Sequence, residues 1–519
     1  MAQEIYIIMH NLLSSVWLIP LVPLLAAAWI ALGYIFKMNR GEAGEAQTSQ
    51  TALTASALSL LLILALDVFA LLYGTPGQIK YGPWLESGDY QVFISFTLDA
   101  LGLVMTTLMA LISLLTIKFS VNYLHREAGY QRFFISLCVF NSAMILITLA
   151  GNAVLTLVGW KLAAVSSYLL IAYAPDRATA TANANQAFIT NRIGDGGFIL
   201  AISLSFIWLG SVEWPDILLH KTDLSSLHIG LIAGGFLLAA LVKSALFPFS
   251  TWITKALEGP TPSSAIFYGS LMVHAGIYLI IRLQPLFIMD GVLLPLLVLI
   301  GLITFAYGFL SGLVQTDVKS ALIFSVISQV GIMLTLCGLG LFDWAAVYLV
   351  LHAVWRAYQF LHAPSYMQLM SRPTRPVSLL IGQWRWLYTA SLQRFWLDKL
   401  TNWMLVNPVR KLAREARSFD EKVVNKVVGL PGQASTLSSL DQLESESTIG
   451  KGRGIAGSLM EWLANKLGWF EEHLVLHGGG KGMSKVIHHL GGYVLKIEVL
   501  LSQPRYLVIL IIATFMVIL

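Results

Sequence analysis

Charge is what this sequence has least of: Asp, Glu, Lys and Arg make up 12% of 519 residues, against 56% hydrophobic residues. With a mean hydropathy of +0.72, the composition excludes a water-soluble domain with an ordinary charged surface. Cysteine is nearly absent. Cys138 and Cys337 both fall inside apolar runs and suggest neither a disulfide framework nor a zinc site. Also missing are a dinucleotide-binding Gly-rich loop, a cysteine cluster for iron–sulfur and a haem attachment motif. No cofactor is expected, and electrons must be handled elsewhere. His473, His477, His488 and His489 lie around Gly478-Gly479-Gly480 without a fixed ligand spacing, so no metal is expected either. The first apolar run lacks the basic leader and small-residue cleavage site of a secretory signal and reads as retained.

What is present is apolar length. About twelve runs approach the roughly 20 residues that cross a hydrocarbon layer as a helix, the form that pairs its own backbone groups. They cover residues 16–36, 53–73, 98–119, 133–151, 153–173, 188–209, 229–247, 263–283, 291–313, 318–341, 344–366 and 506–519. Lys37, Arg40, Lys118, Arg126 and Arg132 follow odd-numbered runs, and a dense basic series, residues 372–417, follows the eleventh. By the positive-inside rule the amino terminus lies outside, and residues 372–502 lie in the cytoplasm of a bacterium, with the bundle in its inner membrane.

The chain thus divides into a helical bundle and a long, mostly amphipathic segment leading to one last span. In that segment Trp396, Leu400, Trp403, Met404 and residues 406–409 recur near helical spacing, with Lys399, Arg410, Lys411 and Arg414 between them. This pattern fits a helix lying along a membrane face, or an ordinary cytoplasmic helix. Residues 432–454, rich in Gly and Ser, read as a flexible link.

Ionisable residues within spans are costly, about 3 kcal/mol each on insertion scales, so each is a candidate functional group. Lys161, Asp195, Lys243, His274, Lys319, His352 and Arg356 occur one or two to a helix on successive spans. A lateral proton or ion relay needs such a series, because each hop requires a nearby donor and acceptor. The structural alternative is simple pairing, such as Asp195 with Arg192 or Asp317 with Lys319. In Lys243-Ser244-Ala245-Leu246-Phe247-Pro248 a proline follows a buried lysine by about a turn, and it must remove a backbone hydrogen bond and break the helix. Irregular backbone at that depth is tolerated where it faces protein or a cavity. Pro260 and Pro262 in Glu258-Gly259-Pro260-Thr261-Pro262 then force a turn before the next span.

Several of these stretches carry a resemblance. Phe96-Thr97-Leu98-Asp99, Gly129-Tyr130-Gln131-Arg132-Phe133-Phe134, Ser166-Ser167-Tyr168-Leu169-Leu170, Asn191-Arg192-Ile193-Gly194-Asp195, Lys243-Ser244-Ala245, Gly259-Pro260-Thr261-Pro262-Ser263-Ser264-Ala265, Leu313-Val314-Gln315-Thr316-Asp317-Val318-Lys319 and Ser328-Gln329-Val330-Gly331 are similar to motifs of one family. It comprises the proton-translocating antiporter-like subunits of complex I (chain L in bacteria, chain 5 in chloroplasts and mitochondria) and the related Mrp sodium/proton antiporters. The resemblance implies an all-α polytopic bundle with inverted repeats, the second truncated, plus a lateral amphipathic segment and a closing transmembrane helix. On that plan residues 1–96 are amino-terminal transmembrane helices and loop, 97–370 the translocation domain, 371–505 the lateral segment and 506–519 the last span. It further implies membrane-subunit partners, a soluble redox arm and no nucleic acid. A second branch of the superfamily implies a zinc-bearing, carbonic-anhydrase-like partner for inorganic-carbon uptake, and a non-conducting scaffold is the third reading.

Four departures stand out. Lys161 occupies the place of the family's glutamate, which pairs with the broken-helix lysine, here Lys243; two cations would then face one another. The relay histidine appears as Tyr268 and the usual lysine of the His-Ala-Phe-Phe-Lys motif as Arg356, a side chain that rarely gives up its proton. The end of the second repeat is missing. If the chain conducts, the expected relay residues are Asp99, Asp195, Lys243, Lys319 and His352, with Lys161 tuning Lys243.

Overall fold

The computed structural model describes residues 12–39, 41–87, 90–219, 224–363 and 382–419. The expected link 432–454, the four carboxy-terminal histidines and the span 506–519 lie outside those residues. A first compact unit extends to Val406 and a second begins at Asn407.

The first unit is a bundle of long antiparallel helices: α1 (Leu18–Ile35), α2 (Gly41–Tyr73), α3 (Ala100–Tyr123), α4 (Tyr130–Leu149), α5 (Ala153–Ile171), α6 (Ala178–Leu209) and α7 (Ser226–Lys243). A short α8 (Thr251–Lys255) follows. Next comes an interrupted helix, Thr261–Arg282, built from α9 (Thr261–Ser264), a π-helical turn, a 3-10 turn and α10 (Ala275–Arg282). The bundle closes with α11 (Leu293–Gly312), α12 (Val318–Gly338) and α13 (Phe342–Leu361). Among the described residues ten helices are long and apolar enough to cross a membrane; α13, with 20 residues, runs beside α12 as a further long helix.

Polar side chains set where helices start. Asp99, Asn152, Ser225 and Asp317 each accept a hydrogen bond from the backbone N–H three residues on, satisfying a donor that the first turn leaves unpaired. Glycine sets how closely helices pack. A Cβ at Gly308 would lie 2.5 Å from Ser328 N, and one at Gly331 2.6 Å from Phe305 N, so α11 and α12 are in near backbone contact. The buried centre is α4, around Phe133, Phe134 and Phe140.

Residues 77–98, read from sequence as part of a helical and loop segment, form a hairpin instead. β1 (Gly77–Ser87) and β2 (Tyr90–Leu98) pair antiparallel, with irregularities between Lys80 and Gly82 and between Pro83 and Leu85. The β-branched and aromatic residues of β2 favour a strand, while the irregularities around Pro83 obscure the alternation in β1. The hairpin lies at the end where α3 begins: Gly151 N donates to Ser95 O at 2.8 Å, and Asn152 Nδ2 to Phe93 O at 2.7 Å. At the opposite end the loops meet through other contacts. Gln131 donates to Asn39 O, Tyr123 shares a hydrogen bond with Thr261, and Arg177 pairs with Glu258.

The beginning of the expected lateral segment packs on the bundle. In α14 (Arg385–Leu392) and α15 (Leu397–Thr401), Ala390, Ser391, Leu397 and Thr401 are buried. Between them, Arg394 donates to Thr254 Oγ1 at 3.2 Å and pairs with Asp398 at 3.5 Å. The second unit contributes α16 (Asn407–Phe419), which carries Arg410, Lys411, Arg414 and Arg417.

Candidate functional site

Two groups of polar side chains are buried within the bundle, on either side of its broken helix. The first is assembled by α5, α6 and α7. Gly194 and Gly197 let α6 approach α7 closely; a Cβ at Gly197 would lie 2.8 Å from Gly235 O. This brings Asp195 toward Lys243. Asp195 is buried, and its Oδ2 lies 3.0 Å from Lys161 Nζ and 2.8 Å from Arg192 Nη2. Two cations therefore share one carboxylate, an arrangement that suits a charge held inside a membrane.

Lys243 is wholly buried. It does not face Lys161 as the sequence suggested: its Nζ donates to Trp160 O at 3.0 Å and lies 4.9 Å from the centre of the Trp160 indole. Lys161 is turned instead to Asp195. Adjacent side chains on a helix point about 100° apart, so with Trp160 turned to Lys243 the Lys161 side chain is directed elsewhere, to Asp195.

Helix α7 ends at Lys243, and residues 244–250, with a cis Phe247-Pro248 bond, carry the chain to α8. The break frees backbone groups, and specific partners take them. Trp252 Nε1 donates to Val242 O at 2.9 Å, and Phe247 N donates to Thr304 Oγ1 on α11 at 3.0 Å. Polar satisfaction of this kind is what permits irregular backbone at membrane depth.

The second group lies across that break. His274 Nε2 and His352 Nδ1 are 2.8 Å apart, and Arg356 Nε donates to His352 Nε2 at 3.1 Å. All three residues are buried. The helix carrying His274 presses onto the end of α7 through Gly276, where a Cβ would stand 2.3 Å from Ser244 Oγ and 2.4 Å from Ala240 O. The turn containing Ser244 is thus the common boundary of the two groups.

The remaining expected residues lie toward the ends. Asp99 caps α3 through Gly102 N and holds Arg282 with both oxygens, at 2.9 and 3.0 Å; Arg282 in turn donates to Tyr278 Oη at 2.8 Å. Lys319 donates to Thr261 Oγ1 at 2.6 Å, between Pro260 and Pro262, while Asp317 caps α12 rather than pairing with it. Arg282 was not singled out in the sequence, although an arginine ending an apolar run is a signal in itself. Glu213 was also missed. It is buried beyond the end of α6 and accepts from Ser95 Oγ at 2.6 Å, Asn152 Nδ2 at 3.1 Å and Gln78 Nε2. Burial pushes its carboxyl above the usual carboxylate range, opposed by those donors and by Lys80. Among the described residues no group of three or more His, Cys, Asp or Glu side chains is placed to hold a metal ion.

Residues 150–382, which carry both buried groups, match the family described as "NADH:quinone oxidoreductase/Mrp antiporter, TM". Residues 84–134 match the amino-terminal domain of chain 5 of NADH-ubiquinone oxidoreductase (complex I). The chain belongs to this antiporter-like family. The chloroplast NAD(P)H-quinone oxidoreductase subunit 5 of Cichorium intybus is 31% identical over 369 residues, 70% of this chain and 50% of that one. Its counterpart from Gossypium barbadense is 34% identical over 370 residues, 68% and 50% respectively. The chain spans about half the length of the curated relatives it matches. Two solved structures share the fold. The Mrp complex from a Dietzia species matches with a TM-score of 0.59 at 24% identity, over 67% of this chain and 37% of that one. The membrane-bound sulfane sulfur reductase, an archaeal respiratory membrane complex, gives 0.56 at 20% identity, over 66% and 55%. Family membership and the apolar helices together make this an integral membrane protein, related to subunits of multisubunit membrane complexes.

Proposed function

We propose that this chain is a membrane subunit of a complex-I-type assembly and moves protons along the buried line from Lys161 and Asp195, through Lys243, to His274 and His352. The observation that carries the reading is the position of Lys243, buried at the broken end of α7 between the Asp195 ion group and the histidine pair. A lysine that donates to a carbonyl and faces no carboxylate directly can release its proton without breaking an ion pair. Asp99 with Arg282 lies toward the hairpin end of the bundle, and Lys319 with Thr261 toward the opposite end. The translocation domain is residues 97–370.

The same reading places the chain in a bacterial plasma membrane with the amino terminus outside, and a soluble redox arm on the cytoplasmic side. Support comes from the distribution of basic residues: Lys37, Arg126, Arg177, Lys255 and Lys319 follow helices that end opposite the hairpin. In liposomes holding the purified assembly, imposed-potential proton flux should be clear in the native protein and absent after Lys243→Ala. Native flux no greater than that of empty liposomes would leave the chain a scaffold. Gentle detergent extraction identifies the soluble partner: redox subunits support this reading, whereas a zinc protein resembling carbonic anhydrase replaces it with inorganic-carbon uptake.

A further inference from the structure

Among the described residues, no carboxylate pairs with Arg356. Only 3% of it is exposed, and its donors go to neutral atoms: Nε to His352 Nε2 at 3.1 Å, Nη1 to Gln359 Oε1 at 2.7 Å and Nη2 to Ser325 Oγ. No carboxylate is among these partners, in contrast to Arg192 and Arg282, which each hold an aspartate. Five N–H bonds leave a planar guanidinium, so two remain beyond those used here. A permanent cation within the hydrocarbon, with no anion to answer it, is the costly arrangement that membrane proteins avoid by pairing.

The surface next to Arg356 is not ordinary lipid-facing wall. Ser325 and Gln359 are half-buried, so the guanidinium lies just beneath the outer surface of α12 and α13. Ser325 also lines a cavity of about 380 Å³ between α11 and α12, with Ser328 and Gln329. Lipid tails offer no hydrogen-bond partner to the Gln329 amide, nor a further one to the Ser325 hydroxyl, on this outward-opening cavity. Beside them α13 exposes Trp344, Leu351, Val354, Trp355 and Tyr358.

We infer that the outer face of α12 and α13 is a subunit seam, and that its occupant is a transmembrane helix of a second membrane protein presenting an Asp or Glu to Arg356. Charge complementarity selects a carboxylate. Depth selects a protein over a lipid headgroup: Arg356 lies five residues inside the end of α13, about 8 Å along the axis, with Nε turned toward His352, one turn deeper. Its Nε, Nη1 and Nη2 are held by His352, Gln359 and Ser325, side chains of the bundle itself, rather than reaching past the end of α13 toward headgroup phosphate. The seam requires that the chain sit in a membrane assembly, but not that it conduct.

The test uses the intact assembly in its own membranes. Placing p-benzoylphenylalanine at Trp355 leaves Arg356 and its contacts in place. The inference requires a photo-adduct with one membrane subunit, its yield falling tenfold or more when intramembrane Asp or Glu residues of that subunit are changed to Asn or Gln. Arg356→Glu should lower the amount of that subunit in the purified assembly by a similar factor, Arg356→Lys should not, and Arg356→Glu combined with Asp→Arg or Glu→Arg on the partner should restore it. Adducts with lipid alone, or a subunit adduct indifferent to those carboxylates, overturn the seam. Proton flux is not read, so this outcome is separate from that of the transport reading.

Discussion

Lys243 donates to the main-chain carbonyl of Trp160, 3.0 Å away, and among the described residues to no carboxylate. The nearby Asp195 is already engaged by Lys161 and Arg192. Placing a lysine at 161 therefore did not create a bare clash of two cations; it gave Asp195 a second partner and left Lys243 on the backbone. The balance around this aspartate governs the first prediction.

Asp195→Asn removes the anion shared by Lys161 and Arg192. Breaking a buried ion pair from one side costs about 3–5 kcal/mol, since the surviving charges stay desolvated. The variant is expected to unfold at lower temperature in detergent than Lys161→Met, which leaves Arg192 with Asp195. Equal melting temperatures for the two would show that Asp195 does not hold the group together.

Lys161→Glu restores the carboxylate that the family resemblance implies. The glutamate would compete with Trp160 O for Lys243 and repel Asp195. Proton flux in liposomes should change severalfold relative to the native chain. Indistinguishable flux from the native chain and Lys161→Glu would mean that position 161 does not act on Lys243.

Gly276 separates the two buried groups by contact with Ala240 and Ser244. A methyl group there forces the helix carrying His274 away from α7, at about 1–3 kcal/mol of overpacking. Gly276→Ala should therefore lower both stability and flux, while Gly234→Ala, where an added Cβ meets nothing, should leave both near native. Equal behaviour of the two variants would show that the close approach is dispensable.

Glu213 links the hairpin to the loops before α5 and after α6. Its carboxyl is raised in the folded chain, so the folded state binds the proton more tightly than the unfolded one. The contribution is present below the ordinary glutamate value and is lost as pH rises through the raised value. Thermal stability should fall across that window in the native chain and flatten there in Glu213→Gln. The measurement is the melting temperature against pH, and parallel curves would remove Glu213 as the titrating group.

Topology is tested with single cysteines at Glu86, on β1, and Glu127, in the loop after α3, both exposed. The native Cys138 and Cys337 are buried and leave little background. An impermeant thiol reagent added to intact cells should label position 86 and not 127. The reverse pattern would invert the proposed orientation.

The bundle was legible because spans are written in apolar length, and the broken helix because a proline after Lys243 leaves the backbone no other course. Arg192 and Asp195, three apart on one helix, could be paired by inspection. That Lys161 joins them could not, since this depends on how glycines at 194 and 197 seat α6 on α7. Nor could the partner of Lys243, because a backbone carbonyl leaves no mark in a sequence. Asp99 read as a relay residue from its motif; it caps α3, and its bond to Arg282 arises only from how α3 and α10 come together in the fold. Glu213 was hidden because its donors come from three separate places along the chain, Gln78, Ser95 and Asn152.

The glycine seam between α11 and α12 has a mechanical consequence. Two helices touching at Gly301, Gly308, Gly331 and Gly338 cannot slide past one another by a fraction of a turn without driving backbone into backbone. They act as a splint, stiff against shear, and Thr304 on that splint grips the broken segment at Phe247 N. The broken segment 244–250 is thereby anchored next to Lys243, whose proton is held by a carbonyl.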